Sequence, residues 1–292
     1  MPILVDFNAV VIATVATATK ELGASVDLQS IKNYFFGDLL AVKKRFAEYG
    51  QIVICCDSKE TWRKDRFKFY KATRGEMKAS APFDWELVRE SLEVISRDIR
   101  ENFPYKVVKV PKTEADDIIA VLAKTLNGYR DGLCSKSEPT LIISSDGDFK
   151  QLQVIPTVKQ YSTAMAKFIV EHDPENFLYE KILKGDSGDA VPNVLSSDDA
   201  IVMKIRQKPI TEARITKWRQ HHLETGELHE DLDQDKYNRN KMLVDLLNEI
   251  PQEIEKEIVE TYESCIPANK LKTSSYFIRN KMKNLYDDLS LF

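Results

Sequence analysis

Four short apolar runs, ILVDF (3–7), IVICCD (52–57), KVVKV (106–110) and LIISSD (141–146), are rich in β-branched residues and read as strands. Between them, stretches at 28–49, 84–102 and 114–126 carry helical periodicity. Strands alternating with helices predict an α/β fold, a parallel sheet flanked by helices. Ligands of such sheets bind beyond the carboxyl ends of the strands, where Asp6, Asp57 and Asp146 stand. After about residue 178 the strand pattern stops. Helices are expected around ENFLYEKIL, TEARITKWRQ, YNRNKMLVDLL, EIEKEIVETY and SSYFIRNKMKNLY, punctuated by Pro192, Pro209, Pro251 and Pro267. The organisation predicted is a catalytic domain over 1–180 and a helical domain over 181–292, with an exposed loop at 221–236.

A chain of 292 residues with 43% apolar content can bury a substantial core. It shows no apolar run of membrane-spanning length and no basic leader, so a monomeric cytoplasmic protein is expected. Cys55 and Cys56 are adjacent in an apolar run, Cys134 and Cys265 are isolated, and reduced thiols are the reading. His172, His221, His222 and His229 lack zinc-ligand spacing. The net charge of −4 conceals three basic stretches. Residues 59–78 hold eight Lys and Arg against three acids, 204–219 hold six against one, and 270–283 hold five against none.

Candidate chemistry lies in nine carboxylates in four clusters: Asp6 and Asp57 after strand-like runs, Glu114, Asp116 and Asp117 in TEADD, Asp146 and Asp148 in SSDGD, and Asp186 and Asp189 in GDSGD. Acids in TEADD also suit the first turn of a helix capped by Thr113, and one strand-terminal Asp is usually a turn former. Those readings do not explain all four clusters together. Two carboxylates roughly 4 Å apart repel by about 4 kcal/mol at an effective dielectric near 20, so a cleft gathering several of them needs cations. Hard oxygen donors without Cys or His suit Mg²⁺ or Mn²⁺, and two such ions suit hydrolysis of a phosphodiester.

The segment 59–78, KETWRKDRFKFYKATRGEMK, places Arg63, Lys71 and Arg74 on one helical face, with Arg66 and Tyr70 on an adjoining stripe. An ordinary solvated helix is the plain reading. Beside the run that delivers Asp57, cations to clamp a phosphate and a ring to stack on a base are the better one.

VDF, CDS, WRKDRFKFYKATR, TEADDIIA, SSDGDF, GDSGD and YNRNKMLVDLL, in this order, resemble the flap endonuclease and 5′→3′ exonuclease family, whose core is PIN-like, and its phage members above all. The resemblance implies a first metal site of Asp6, Asp57, Asp116 and Asp146 with Glu114 close by, and a second of Asp148, Asp186 and Asp189 with Asp117. It implies a helical arch over 59–80 in which Lys71 is the catalytic lysine, Tyr70 a stacking position, and Arg63 and Arg74 phosphate ligands. Cellular members carry a glycine-rich helix–hairpin–helix after the final Asp pair; here the run is DAVPNVLSSDDAIVMK. Ser196 and Ser197 with Lys204, Arg206 and Lys208 are the expected substitute for holding duplex DNA. The implied activity is Mg²⁺-dependent removal of RNA primers from RNA–DNA hybrids and of 5′ ends or flaps from nicked duplex DNA, in partnership with a single-stranded DNA-binding protein. A PIN-type ribonuclease for single-stranded RNA and a non-catalytic DNA-binding scaffold are the rivals. The last residues, DDLSLF, resemble peptides that bind a sliding clamp through residues such as Leu289, Leu291 and Phe292; the alternative is a helix end docking its own apolar side chains.

Overall fold

A computed structural model describes the chain from Met1 to Phe292 apart from residues 80–83, 131, 137 and 287, and apart from the side chains at positions 77, 78 and 290. The strands are β1 (Ile3–Asp6), β2 (Ile52–Cys55), β3 (Lys106–Val108), the short pair β4 (Tyr129–Arg130) and β5 (Leu133–Cys134), β6 (Thr140–Ile143), β7 (Val158–Ser162) and β8 (Lys167–Ile169). The helices in the first half are α1 (Phe7–Leu22), α2 (Leu28–Arg45), α3 (Trp62–Arg66), α4 (Arg74–Ala79), α5 (Trp85–Asn102) and α6 (Ala115–Asn127). Those that follow are α7 (Pro174–Lys184), α8 (Glu212–Thr225), α9 (Gln234–Val244), α10 (Gln252–Ser264), α11 (Leu271–Arg279) and α12 (Lys283–Tyr286). No helix among the described residues is long and apolar enough to cross a membrane.

The main sheet runs β3-β2-β1-β6-β7-β8, parallel except for β8, which turns back along β7. The central strand β1 pairs Val5 with Ile54 of β2 and with Ile143 of β6, so three carboxyl ends lie side by side. Alternate residues feed two cores. Ile3, Val5, Ile52, Ile54, Leu141 and Ile143 pack with α1, α2 and α5, while Leu4, Val53, Cys55 and Ile142 pack with α6 and the 3₁₀ segment Gly147–Val154. The four strands read from sequence are present. Strands β7 and β8 escape that reading because β7, VKQYS, buries Gln160 and Ser162 where a two-residue period would set apolar side chains.

The C-terminal segment does not stand apart from the sheet. Leu246, Leu247, Ile250 and Ile258 join the core beneath α6, and Tyr276, Phe277, Met282, Leu285 and Phe292 join the core on the other face. A third core, with Phe67, Tyr70, Tyr179, Ile182, Trp218 and Leu243, is built from α7, α8, α9 and the stretch after α3.

Two expectations are corrected here. The tail DDLSLF is folded in: Phe292 is 3% exposed, its ring edge-on to Phe277 at 4.9 Å and Phe103 at 6.0 Å, and Leu289 and Leu291 pack on the same core. The side chains a clamp would take are spent within the chain. The basic segment 59–80 is not one helix either: α3 ends at Arg66, turns occupy 68–73, and α4 begins at Arg74. Burial of Phe67 and Tyr70 in the third core pulls this stretch inward and breaks the expected stripe. Position 80, the end of the expected arch, lies outside the described residues.

Gly185 closes α7 at φ +68°, where an added Cβ would lie 2.4 Å from the Val191 carbonyl oxygen and 2.7 Å from that of Pro192. The next residue, Asp186, is locked to Val191 by two backbone hydrogen bonds of 2.8 Å. Gly185→Ala is therefore expected to lower stability by about 1–3 kcal/mol, measured by denaturant unfolding, because both the left-handed backbone and the close approach exclude a side chain.

Candidate active site

The carboxylates meet where the strands end. Asp6 is the last residue of β1 and also the N-cap of α1, accepting from the Ala9 N–H at 3.3 Å and from Ser144 Oγ at 2.8 Å. Asp57, two residues beyond β2, accepts from the Ala115 N–H at 2.8 Å, which ties it to the start of α6. Asp146 caps the 3₁₀ segment through the Asp148 N–H at 2.9 Å, and the Gln160 amide donates to its backbone carbonyl at 2.6 Å. Glu114, rather than Thr113, occupies the N-cap position of α6; the Thr113 hydroxyl donates instead to the Val110 carbonyl at 2.8 Å.

Burial and mutual repulsion mark these acids as one electrostatic cluster. Burial, then Asp57 and Asp146 beside it, pushes Asp6 up to about 7 against the opposing bond from Ser144. Asp116 is driven well above the ordinary carboxylate range by burial and by Asp6, Asp146 and Glu114. Burial raises Asp57 as well, and Asp148 reaches about 6 through burial and Asp146 despite the opposing Lys181. Asp116, Asp148, Asp186 and Asp189 line one small cavity with Arg63 and Tyr70. This pocket is short of positive charge.

Side-chain cations supply part of it. Lys71 is paired with Glu114 Oε1 and lies 3.7 Å from Asp189 Oδ2; its backbone holds a left-handed φ of 58° and its N–H donates to the Asp189 carbonyl at 2.8 Å. Arg74 donates to Asp189 Oδ1 at 2.6 Å. Lys181, on the last turn of α7, bonds Asp148 and, at 2.7 Å, Asp186. Burial opposes the ionised form of Glu114, but Lys71 and Arg63 hold it below the ordinary value, and Lys181 does the same for Asp186. No three His, Cys, Asp or Glu side chains among the described residues enclose a point able to hold an ion as they stand. The donor chemistry nonetheless fits a hard divalent cation: all-oxygen donors, partly desolvated and repelling one another.

Several expected site residues have other partners. Arg63 is 2% exposed and cannot reach a substrate phosphate; it meets Asp117 at 2.8 Å and Glu114 at 3.2 Å, and its Nε donates to the Leu243 carbonyl at 2.8 Å. Asp117, fully buried, is committed to Arg63, to the Trp62 indole at 3.3 Å and to the Glu114 N–H at 3.0 Å, so it is the counter-ion of Arg63 and not an open ligand. Tyr70 is buried, its hydroxyl 2.8 Å from Glu114 and 2.9 Å from Asp189 with a single proton to donate between them, and presents no free face for stacking. Ser196 is buried as well, its hydroxyl bonded to Asn193 at 2.9 Å and accepting from the Lys208 N–H at 3.1 Å, so it cannot grip DNA. Arg66, Ser197, Lys204, Arg206 and Lys208 are exposed, and Lys204 pairs with Glu76 of α4 at 3.0 Å. Sequence reasoning missed Ser144 and Lys181. A Ser directly after a strand carried a weak signal for the first; a lone Lys on a helix carried none for the second.

Removing Arg63 strands a fully buried carboxylate, so Arg63→Met is expected to destabilise the protein by about 3–5 kcal/mol in denaturant unfolding, far more than removal of the exposed Arg66.

Residues 6–181 match the family model of the 5′-3′ exonuclease N-terminal, resolvase-like domain, and residues 173–292 match that of the C-terminal domain of T4 RNase H. The chain is 31% identical over 302 residues to the ribonuclease H of Enterobacteria phage T4, covering 99% of this chain and 95% of that protein. Among solved structures it is similar to the bacteriophage T5 5′-exonuclease with bound divalent zinc, with a TM-score of 0.59 at 17% identity over 91% of this chain and 98% of that one. A bacteriophage T5 flap endonuclease, in a pseudo-enzyme-product complex with DNA and metal ions, gives a TM-score of 0.58 at 16% identity over 90% of this chain and 99% of that one. The T5 structures share the fold; the two sequence models meet within α7 and the T4 relative runs nearly end to end. The chain thus belongs to the 5′-3′ exonuclease family of nucleases and carries the C-terminal domain of T4 RNase H.

Proposed function

We propose that this nuclease is a Mg²⁺-dependent 5′→3′ enzyme that removes RNA primers from RNA–DNA hybrids and trims 5′ ends and flaps during DNA replication, in the cytoplasm of a phage-infected cell. The observation that carries the reading is the gathering of mutually repelling carboxylates at the carboxyl edge of the sheet, beside basic α3 and α4. The T4 relative, a ribonuclease H, supports the RNA–DNA hybrid as substrate. The DNA named with the T5 flap endonuclease supports nicked or flapped duplex as a second.

Asp6, Asp57, Asp116 and Asp146 are suited to one divalent ion, and Asp148, Asp186 and Asp189 to another, with Glu114 at their border and Mn²⁺ able to replace Mg²⁺. Such ions supply a water nucleophile of lowered pKa and stabilise the leaving oxygen. The chain's own residues do the rest. Lys71 and Arg74, now spent on Glu114 and Asp189, are the cations that can turn to the scissile phosphate and its developing charge. Arg63, Asp117 and Tyr70 position them: a buried framework fixes the base of the arch without touching substrate. Ser197, Lys204, Arg206 and Lys208 offer an exposed basic strip for duplex phosphates, with Arg66 on the neighbouring α3. We take 1–180 as the catalytic domain and 181–292 as the helical one.

Parallel cleavage of a 5′-labelled flap and a primer hybrid tests this. Both are expected to be cut in Mg²⁺ and neither in EDTA; activity that survives chelation, or a preference for single-stranded RNA, overturns it. Asp116→Asn is expected to cut turnover about 100-fold or more. Its effect on metal-free stability has the opposite sign. The folded chain holds Asp6 near 7 and Asp148 near 6 against an ordinary 3.8, so it keeps protons that the unfolded chain releases, and stability falls as pH rises across that window. The melting temperature without metal should therefore drop between about pH 4 and pH 7, Asp116→Asn should flatten the drop, and Mg²⁺ should restore the wild type at the alkaline end.

A further inference from the structure

Lys181 stands inside the acidic cluster, unlike the arch cations that reach it from a neighbouring segment. It projects from the last turn of α7, whose end is fixed by the Gly185 N–H bond to the Lys181 carbonyl at 2.8 Å and by the Asp186–Val191 bridge immediately after. Its ammonium bonds one oxygen of Asp148 and, at 2.7 Å, one of Asp186, and its side chain is only 13% exposed. Both carboxylates are held in place: Asp148 sits in the capped 3₁₀ segment, and the second oxygen of Asp186, Oδ1, accepts from the Asp189 N–H at 3.1 Å. The ammonium is thus a built feature of this half of the site.

We propose that Lys181 is a resident cation of the Asp148–Asp186 pair that lowers its affinity for a divalent ion, making it the weaker half of a two-ion site that fills firmly only when a substrate phosphate brings further negative charge. The proposal rests on the two-ion reading above. A fixed positive charge at hydrogen-bond distance from both ligands repels an incoming dication and occupies an oxygen on each carboxylate. At the other half, no lysine or arginine among the described residues bonds Asp6, Asp57 or Asp116; Asp6 is held by Ser144 and the Ala9 N–H, and Asp57 by the Ala115 N–H.

The test is Mn²⁺ titration of the full substrate-free chain, with free Mn²⁺ read by electron paramagnetic resonance, on wild type, Lys181→Met, Lys181→Arg and Asp186→Asn, each checked for a cooperative melt. Wild type is expected to bind Mn²⁺ in a strong and a weak class. Lys181→Met should tighten the weak class about tenfold or more and leave the strong one unchanged. Lys181→Arg, which keeps the charge, should behave as wild type, and Asp186→Asn should lose the weak class. Unchanged or weakened binding in Lys181→Met, with Asp186→Asn still losing its weak class, overturns the role of Lys181 and leaves the two-ion reading standing. Absence of any Mn²⁺ binding by wild type overturns both.

Discussion

Charge balance among desolvated carboxylates is the constraint on which the rest of this structure depends. The sheet delivers Asp6, Asp57 and Asp146 to one edge, and α6 and the turn after α7 add five more acids around them. Gathering like charges in partial burial is unfavourable, and the raised Asp6, Asp116 and Asp148 record it. The protein offsets the repulsion with cations of graded permanence. Arg63 is sealed beneath Asp117 and Glu114, Lys181 is anchored from α7, and Lys71 and Arg74 reach in from a segment that begins and ends in short helices. A buried pair such as Arg63 with Asp117 is weak evidence for stability by itself, but each partner makes the other indispensable.

The same ion pair joins regions distant in sequence. Arg63 lies on α3, Asp117 on α6, and the Leu243 carbonyl that Arg63 also holds ends α9. The base of the basic segment is therefore pinned between the sheet domain and the helical region, at the place where Tyr70 and Lys71 reach Glu114. The helical region is likewise woven into the sheet's two cores through Leu247, Ile258, Phe277 and Phe292. The aromatic cluster of Phe36, Phe103 and Phe277 belongs to the same core as Val5 and Phe7, the residues on either side of Asp6.

Sequence alone determined the strands that end in acids, since an apolar β-branched run followed by Asp has few other readings, and it determined the order of the acidic clusters. Helix α1 was not legible: FNAVVIATVATATKEL mixes β-branched and small residues, and what makes it helical is the Asp6 cap together with burial of Val11 and Val15. Nor was the split of segment 59–80. Helical spacing grouped Arg63 with Lys71 and Arg74 because spacing knows only one helix, whereas their partners lie 43 to 180 residues away in sequence. Tertiary structure alone decided that Arg63, Asp117 and Tyr70 are framework, that Lys181 sits between two acids, that Ser196 is buried, and that Phe292 fills its own core. Each of these turns on desolvation and on a partner far along the chain, and local pattern carries information about neither.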